Sequence, residues 1–203
     1  MGKYAVIILA AGKSTRFGQN KLLFPFEGKP LLFHSLDFFL LNKDIELPVI
    51  IVTGAFTDPI SKVIENKNVL QLHNPFYESE GMSRSIKIGI KELFKRKKHI
   101  DGVFIHPGDI PRINNQIIAD LIEKHNISKK KIIIPSFNYK RGHPILLDIS
   151  LLEDLSELKD EDEGLRGFLR KNESEINYLV VQNMGILIDI DKKNDLIKLE
   201  KRN

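Results

Sequence analysis

The chain begins with an apolar run, Tyr4 to Leu9, that leads directly into a short basic loop containing a glycine. Such a run, bounded by a loop, is typical of a strand buried in a parallel sheet. Gly12 lets the backbone approach a ligand closely, and the neighbouring N–H groups can bind an anion. Arg16 and Lys21 add the positive charge that a triphosphate requires. This stretch therefore constrains both the fold and the class of ligand.

Two familiar phosphate-binding loops do not fit this stretch. A P-loop needs a glycine five residues before Gly12, and Ile7 stands there. The dinucleotide fingerprint also fails, because Ala10 and Thr15 occupy the positions of its other glycines. The alternative interpretation is an ordinary glycine turn followed by a solvated lysine and arginine.

Length and charge limit the classes of protein. A chain of 203 residues fits one domain, which we expect to span 1–203. The 31 basic and 27 acidic residues give a net charge of only +4, which does not require a nucleic acid partner. The basic clusters Lys95–Lys98 and Lys129–Lys131 lack interleaved aromatic residues, so we expect them to be solvated and predict no binding of nucleic acid.

The absence of cysteine excludes disulfides, thiolate catalysis and cysteine-based zinc sites. Lys3 followed by an apolar run faintly resembles a signal peptide, but the run is short and leads straight into a basic loop. No apolar stretch is long enough to span a membrane. We therefore expect a cytoplasmic location and no membrane partner.

Strand-like and helix-like segments alternate along the chain. This order predicts an α/β fold in which helices cover both faces of a mostly parallel sheet, with ligands bound beyond the carboxyl ends of the strands. The predicted strands are Tyr4–Ala10, Pro48–Thr53, Val69–Leu72, Gly102–His106, Lys131–Ile134, Pro144–Leu147, Tyr178–Gln182 and Gly185–Asp189. The predicted helices are Pro30–Leu41, Asp58–Glu65 with Asp58 as N-cap, Ser83–Phe94, Asn114–His125 with Asn114 as cap, Leu151–Leu158, Leu165–Arg170 and Asn194–Glu200.

Carboxylates follow two of the predicted strands. Asp109 comes after the fourth, and Asp189 and Asp191 end the last one, where both would point to the same face if the strand continued through them. Magnesium favours such carboxylates together with substrate phosphates and water. The alternatives are that Asp109 is a turn residue and that Asp191 caps the helix that begins near Asn194.

Three further segments are candidates for binding or mobility. The segment Gly81–Ser85 opens a helix whose N-terminus suits an anion, although Ser83 can equally be an ordinary cap. The segment Arg141–Pro144 could receive an anionic second substrate, although by itself it is a weak turn motif and His143 can be purely structural. The acidic run Asp160–Glu163 is the segment that we expect to be most mobile.

Taken in order, these motifs resemble the molybdenum-cofactor cytidylyltransferases, a group of MobA-like nucleotidyltransferases, over almost the whole chain. The matching motifs are Leu9-Ala10-Ala11-Gly12 with Ser14, Arg16-Phe17-Gly18 and Lys21, then Gly81-Met82-Ser83 with Ser85, Gly108-Asp109-Ile110-Pro111, Arg141-Gly142-His143-Pro144, Gly164-Leu165-Arg166 and Asp189-Ile190-Asp191.

The resemblance implies a Rossmann-like nucleotidyltransferase fold and a reaction that depends on Mg²⁺. In it, CMP passes from CTP to the phosphate of a molybdopterin-type substrate, and pyrophosphate leaves. Catalysis is assigned to Arg16, Lys21 and Asp109, and metal binding to Asp109 and Asp191. The resemblance places the nucleotide against Leu9, Ala10, Ala11, Gly12, Ser14, Arg16, Lys21, Gly81, Ser83 and Asp109. It places the molybdopterin substrate against Arg141, Gly142, His143 and Pro144.

Alternatives to this hypothesis stay open. One is a guanylyltransferase of the same fold, although Ala11, where those enzymes usually carry glycine, favours cytidine. Another is a transferase that acts on a different phosphorylated small molecule. A third is a carrier that hands the molybdenum cofactor to a client molybdoenzyme without catalysing transfer. Arg84 and Lys192-Lys193-Asn194 depart from the family pattern, which leaves the acceptor and the base less certain.

Overall fold

The computed structural model describes residues 2–46, 48–96 and 99–200. In these ranges the strands are β1 (Tyr4–Ala10), β2 (Pro25–Phe26), β3 (Lys29–Pro30), β4 (Val49–Thr53), β5 (Val69–His73), β6 (Gly102–Pro107), β7 (Ile132–Phe137), β8 (Lys140–Arg141), β9 (Ile145–Asp148) and β10 (Ile176–Val180). The helices are α1 (Leu31–Leu40), α2 (Thr57–Ile64), α3 (Met82–Arg96), α4 (Asn115–Ile127), α5 (Leu152–Ser156), α6 (Gly164–Lys171) and α7 (Lys193–Glu200).

The main sheet has the strand order β10-β7-β9-β6-β1-β4-β5, with β8 paired to β7. The pairs β6–β1, β1–β4, β4–β5 and β7–β10 are parallel. Strand β9 lies antiparallel between β6 and β7. The predicted mostly parallel sheet is therefore confirmed, with β9 as an inserted strand of opposite direction.

Alternation along the strands divides the core into two layers. From β1, Tyr4, Val6 and Ile8 pack with helices α1, α2 and α4, whereas Ala5 and Ile7 pack with α3, α5 and α6 on the opposite face. The period of two follows from strand geometry, and full burial of each large apolar side chain stabilises the fold by about 1.5–3 kcal/mol. Helices cover both faces of the sheet, as predicted. The open surfaces are therefore at the amino and carboxyl ends of its strands.

A third, smaller core cluster packs the C-terminal segment against residues that follow β1. Ile190 and Leu196, from the segment around the start of α7, pack with Phe17 of the first loop and with Phe26 of the β2–β3 hairpin. This cluster fixes the C-terminal segment against the basic loop that follows β1.

The strand predicted over Gly185–Asp189 is wrong. Residues Met184–Leu187 form a 3₁₀ turn instead. Ile186 is fully buried, and its carbonyl accepts the His143 N–H at 3.0 Å. Gly185 lies so close to the Arg112 backbone that a Cβ would not fit. The apolar run is thus buried by a tight turn beneath the sheet edge rather than by strand pairing.

Two cap predictions have different outcomes. The Asn114 side chain accepts the Ile117 N–H at 2.9 Å and caps α4 as predicted. Asp58 is not the N-cap of α2, because the helix already begins at Thr57, whose hydroxyl donates to the Gly54 carbonyl at 2.9 Å.

The predicted basic cluster at the end of α3 is only partly described. Arg96 is paired with Glu92 at 3.0 Å, and Lys95 lies 3.7 Å from the same side chain, whereas Lys97 and Lys98 lie outside the described residues. No helix in the described ranges is both long enough and apolar enough to cross a membrane.

Candidate active site

A cavity of about 660 Å³ lies beyond the carboxyl ends of β1 and β6. Its size is in the range of pockets that bind small molecules and cofactors. The structure brings most of the sequence-predicted site residues to its wall. These are Leu9, Ala10, Ala11, Gly12, Ser14, Arg16, Lys21, Asp109, Arg141, His143 and Asp191. Gly81, Ser83, Gly142 and Pro144 are not part of the lining.

The loop after β1 forms one wall of the cavity. Ser14 adopts a left-handed backbone conformation with φ of 54°, and its carbonyl accepts the Phe17 N–H at 3.0 Å. The Ser14 hydroxyl accepts the Lys21 N–H at 3.3 Å, which ties the loop to the residue that follows it. A Cβ at Gly12 would meet nothing within 4 Å, so the backbone there stands open to the cavity.

Two cations and two carboxylates form a connected cluster at the floor of the cavity. The Lys21 ammonium lies 2.5 Å from Asp109 Oδ2 and 3.4 Å from Asp191 Oδ1. The Arg16 guanidinium contacts the other oxygen of Asp191 at 2.8 Å. Because Lys21 is only 14% exposed, its charge is poorly screened by solvent. We define these four residues as the charge cluster.

Backbone hydrogen bonds hold both carboxylates of the charge cluster in place. Gly108 N–H donates to the Leu9 carbonyl at 2.9 Å, which sets the turn that presents Asp109. The Asp109 carbonyl in turn accepts the Ile190 N–H at 3.1 Å, so the two aspartate segments are directly joined.

The Asp191 carboxylate is not used as a helix cap. Helix α7 begins at Lys193, and Asp195 in its first turn reaches back to accept the N–H groups of Asp191 and Lys192 at 3.1 and 2.7 Å. The alternative that Asp191 only caps the last helix is therefore wrong. Its carboxylate faces Arg16 and Lys21 instead.

The charge cluster has the chemistry of a site for a small divalent cation. Among the described residues there is no group of three or more His, Cys, Asp or Glu side chains that could enclose a metal ion. Asp109 and Asp191 offer hard carboxylate oxygens close enough to share one ammonium. Magnesium and manganese suit such an incomplete protein set, because substrate phosphates and water supply the other oxygens.

The cavity is also lined by Arg141, His143, Arg166 and Asp189. Arg141 is held by Glu173 at 2.6 Å and lies over the ring of Tyr178. Gly142 packs closely against Ile186, since a Cβ there would lie 2.6 Å from the Ile186 side chain.

His143 lines the cavity, and the ring of the buried His106 lies 6.5 Å from the His143 ring. Burial lowers the pKa of His106 to about 3, and the nearby His143 ring adds to the effect. Burial also lowers the pKa of His143 to about 4, against a hydrogen bond with Ile105 and the charge of Asp189, which both raise it. Both rings are therefore neutral at pH 7. A neutral His143 can accept or donate a hydrogen bond at the cavity wall, but it brings no positive charge.

The N-terminus of α3 is occupied by a side chain from elsewhere in the chain. The Asp160 carboxylate accepts the N–H groups of Gly81 at 2.7 Å and Ser83 at 3.3 Å. Burial raises the pKa of Asp160, but the hydrogen bonds from Ser83 and Gly81 outweigh it and hold the pKa below its ordinary value. The first residue of the acidic run is thus engaged with a helix.

The same helix contributes Met82 and Ser85 to the cavity in place of Gly81 and Ser83. The Asn74 side-chain NH₂ donates to the Ser85 hydroxyl at 3.1 Å, and the Asn74 side-chain oxygen, Oδ1, accepts the Phe76 N–H at 2.9 Å. Arg84 does not line the cavity and instead packs over the Phe76 ring.

The resemblance places the Gly81–Ser85 segment on the nucleotide side but names only Gly81 and Ser83 as contacts, and it gives no contact role to Arg166. Which residues of a helical motif face a cavity depends on how the helix is docked. Met82 and Ser85 lie three residues apart and therefore share one helix face, which the helix period could have indicated. Nothing in the sequence would have placed Arg166 at the cavity.

A family model described as the MobA-like NTP transferase domain matches residues 6–176. A probable molybdenum cofactor guanylyltransferase from Thermococcus sibiricus is 29% identical over 206 residues, with 96% of each chain covered. The molybdenum cofactor cytidylyltransferase from Escherichia coli is 26% identical over 197 residues, covering 97% of this chain and 95% of that one.

Solved structures share the fold at low sequence identity. Rv0371c from Mycobacterium tuberculosis H37Rv has a TM-score of 0.80 at 18% identity, with 98% of each chain covered. Its complex with manganese has a TM-score of 0.76 at 17% identity, covering 99% of this chain and 100% of that one. The predicted Rossmann-like nucleotidyltransferase fold is confirmed.

Proposed function

The chain belongs to the family of MobA-like NTP transferase domains and is an enzyme of the nucleotidyltransferase type, and we propose that it transfers CMP from CTP to the phosphate of a molybdopterin-type substrate. The observation that carries the proposal is the charge cluster at the floor of a cavity whose wall is the open loop around Gly12. Pyrophosphate is the second product.

The nucleotide end of the cavity is suited to a triphosphate. The open backbone at Gly12 leaves room for phosphate oxygens, and Arg16 and Lys21 provide two cations at the same place. Charge-assisted hydrogen bonds from arginine and lysine to phosphate are about twice as strong as neutral ones. In this arrangement Arg16 and Lys21 neutralise the charge that develops as pyrophosphate leaves.

We propose that Asp109 and Asp191 hold the divalent cation, with Mg²⁺ as the physiological ion. When bound there, the ion would supply Lewis-acid chemistry that stabilises negative charge on the phosphates. The manganese complex of Rv0371c, a protein with the same fold, supports a divalent cation in this family of structures.

The acceptor side is assigned to Arg141 and Arg166, two further cations that line the cavity. A phosphate monoester has a second pKa of about 6, so near pH 7 the acceptor is already largely ionised and needs no general base. The neutral state of His143 agrees with that chemistry. The wall then has to bind and align the acceptor phosphate, and alignment alone can lower a reaction barrier substantially.

A guanylyltransferase is the second candidate. The T. sibiricus relative carries that description at 29% identity, whereas the E. coli cytidylyltransferase is 26% identical. The two values are too close to separate the bases. Ala11, at the cavity wall, is the residue on which the preference for CTP rests.

Pyrophosphate release tests the proposal. The protein is incubated with Mg²⁺, purified molybdopterin-type cofactor and CTP, GTP, ATP or UTP in separate reactions. Release that requires both CTP and the cofactor is the expected result. Release with GTP alone assigns the second candidate. Absence of release with all four nucleotides, from folded protein and active cofactor, contradicts transfer to this acceptor.

A further inference from the structure

The position of Lys21 has a consequence for the order in which ligands bind. Its ammonium group contacts both carboxylates that are suited to the divalent cation, at 2.5 Å from Asp109 and 3.4 Å from Asp191. A positive charge therefore already stands between the two groups. In this arrangement a metal ion and the Lys21 ammonium compete for the same oxygens.

The balance of charge points in the same direction. Arg16 and Lys21 carry two positive charges, and the two aspartates carry two negative charges, so the charge cluster is neutral as it stands. Adding a divalent cation leaves an excess of two positive charges beside Lys21 and Asp109, whose side chains are only 14% and 19% exposed, so that charges a few ångströms apart are weakly screened. A triphosphate offsets that excess with its own negative charges.

The backbone allows the Lys21 side chain to move without moving its anchor. The Lys21 N–H is bound to the Ser14 hydroxyl, and the next N–H, that of Leu22, is bound to the Asn20 side chain at 3.1 Å. The cavity beside it is wide enough for a phosphate chain. Lys21 can thus turn from the carboxylates to a phosphate at the Gly12 loop.

We propose that Lys21 is an internal counter-ion that keeps the metal site closed until the nucleotide binds, so that metal and nucleotide enter as coupled ligands. The inference rests on the proposed function for the identity of these two ligands. Coupling of this kind is reciprocal: the nucleotide raises the affinity for metal by the same factor as the metal raises the affinity for nucleotide.

The test is the affinity of the full-length protein for Mn²⁺ alone, followed by the electron paramagnetic resonance signal of the free ion. Lys21→Met should bind Mn²⁺ at least about tenfold more tightly than the wild type, since it removes the competing charge. Lys21→Arg keeps the charge and should stay close to the wild type. Lys29→Met is the matched control, because Lys29 makes an equally close pair with Asp37 outside the cavity, at 2.6 Å.

A CTP analogue that cannot transfer its nucleotidyl group completes the test. It should tighten Mn²⁺ binding much more in the wild type than in Lys21→Met. Circular dichroism checks that each variant is folded, and Lys21→Gln replaces Lys21→Met if the latter unfolds. Mn²⁺ binding to the folded neutral variant that is no tighter than in the wild type overturns the inference.

The two proposals can fail separately. If Lys21→Met gains Mn²⁺ affinity but no nucleotide supports pyrophosphate release, the counter-ion role stands and the transfer reaction does not. If pyrophosphate is released but the neutral variants show no gain, the transfer reaction stands and the counter-ion role does not.

Discussion

The two ends of the central sheet both carry networks of polar side chains, but the networks differ in whether they are closed. At the amino end of β1, the Tyr4 hydroxyl is bound to Asn126 at 2.9 Å and to the His125 ring at 3.0 Å. The same ring contacts Asp148 at 3.2 Å, and the Ser150 N–H is bound to the other oxygen of that carboxylate. At the carboxyl end, the charge cluster opens onto a cavity.

The comparison distinguishes polar residues that stabilise the fold from polar residues that are available to a ligand. In the amino-end network, the polar groups take one another as hydrogen-bond partners, and burial with nearby aspartates raises the pKa of Tyr4 to about 12. Such mutual hydrogen bonds stabilise the fold. The four residues of the charge cluster also pair with one another, but they line a cavity, so their oxygens and cations are accessible to a ligand.

The largest expected effect comes from Asp109→Asn. Loss of the carboxylate should lower kcat for pyrophosphate release by about 10³-fold, since metal and electrostatic stabilisation are each worth several kcal/mol. Steady-state kinetics at saturating nucleotide measure it. Asp37→Asn is the control, because Asp37 also contacts two lysines, Lys29 and Lys67, but lies outside the cavity lining. A variant at Asp109 that keeps most of its turnover would remove the charge cluster from the mechanism.

The second expected effect is a fall in the free energy of unfolding as the pH falls. Groups at the two ends of the sheet should contribute to it in different pH ranges. His106, fully buried at the carboxyl end, stays neutral in the folded state, whereas the unfolded state takes up a proton below pH 6.5. The free energy of unfolding should therefore fall from pH 6.5 towards pH 4, at up to about 1.4 kcal/mol per pH unit for this residue.

At the amino end, the pKa of Asp148 is lowered: burial raises it, but hydrogen bonds from Ser150 and His125 outweigh that. Its contribution should be lost only as the pH falls below the ordinary aspartate range. Urea unfolding at several pH values separates the two windows. His143, whose pKa burial lowers to about 4, contributes in the same range, so His106→Gln should reduce the slope between pH 6.5 and 5 without abolishing it. An unchanged slope in that variant would contradict the assignment to His106.

The third effect tests whether the closed network is purely structural. Tyr4→Phe removes one hydroxyl and leaves His125 and Asn126 without that partner, so we expect a loss of about 1–2 kcal/mol in the free energy of unfolding. Chemical denaturation measures it. The kcat and KM for pyrophosphate release should not change. Reduced turnover at full stability would mean that the amino end takes part in function.

The smallest effect is expected at the mouth of the cavity, where Lys13 and Glu78 form a pair at 3.0 Å. Both side chains are well exposed, at 44% and 63%, so solvent screens the pair. Glu78→Gln should change the free energy of unfolding by less than about 0.5 kcal/mol. Thermal unfolding at low and high salt measures this change. A change as large as that of Tyr4→Phe would show that the exposure of a pair does not determine its contribution to stability.

The sequence predicted the fold well because its signals are local. Apolar strands with a period of two and Asn114 as a helix cap depend on residues close together in the chain. The segment Gly185–Asp189 has the same apolar character, but its structure depends on Arg112 and His143, which are far away in sequence. No local pattern distinguishes a turn buried by such contacts from a strand.

The residues of the candidate site were likewise predictable only where local sequence signals determine their positions. Gly12 and Asp109 follow the ends of β1 and β6 closely, so topology alone brings them to one edge of the sheet, and Arg16 and Lys21 belong to the loop that continues from Gly12. The Asp160 contact with α3 and the position of Arg166 depend on how helices dock, which the sequence does not reveal by spacing.

If the charge cluster binds a nucleoside triphosphate together with a divalent cation, these ligands should raise the thermal stability of the protein. With Mg²⁺ and CTP or GTP at about one hundred times the dissociation constant, ligand binding should stabilise the wild type by about 2.7 kcal/mol, which raises Tm by about 5–10 °C. Asp109→Asn should lose most of that shift. No shift of the wild type with any of the four nucleotides in saturating Mg²⁺ would contradict the account.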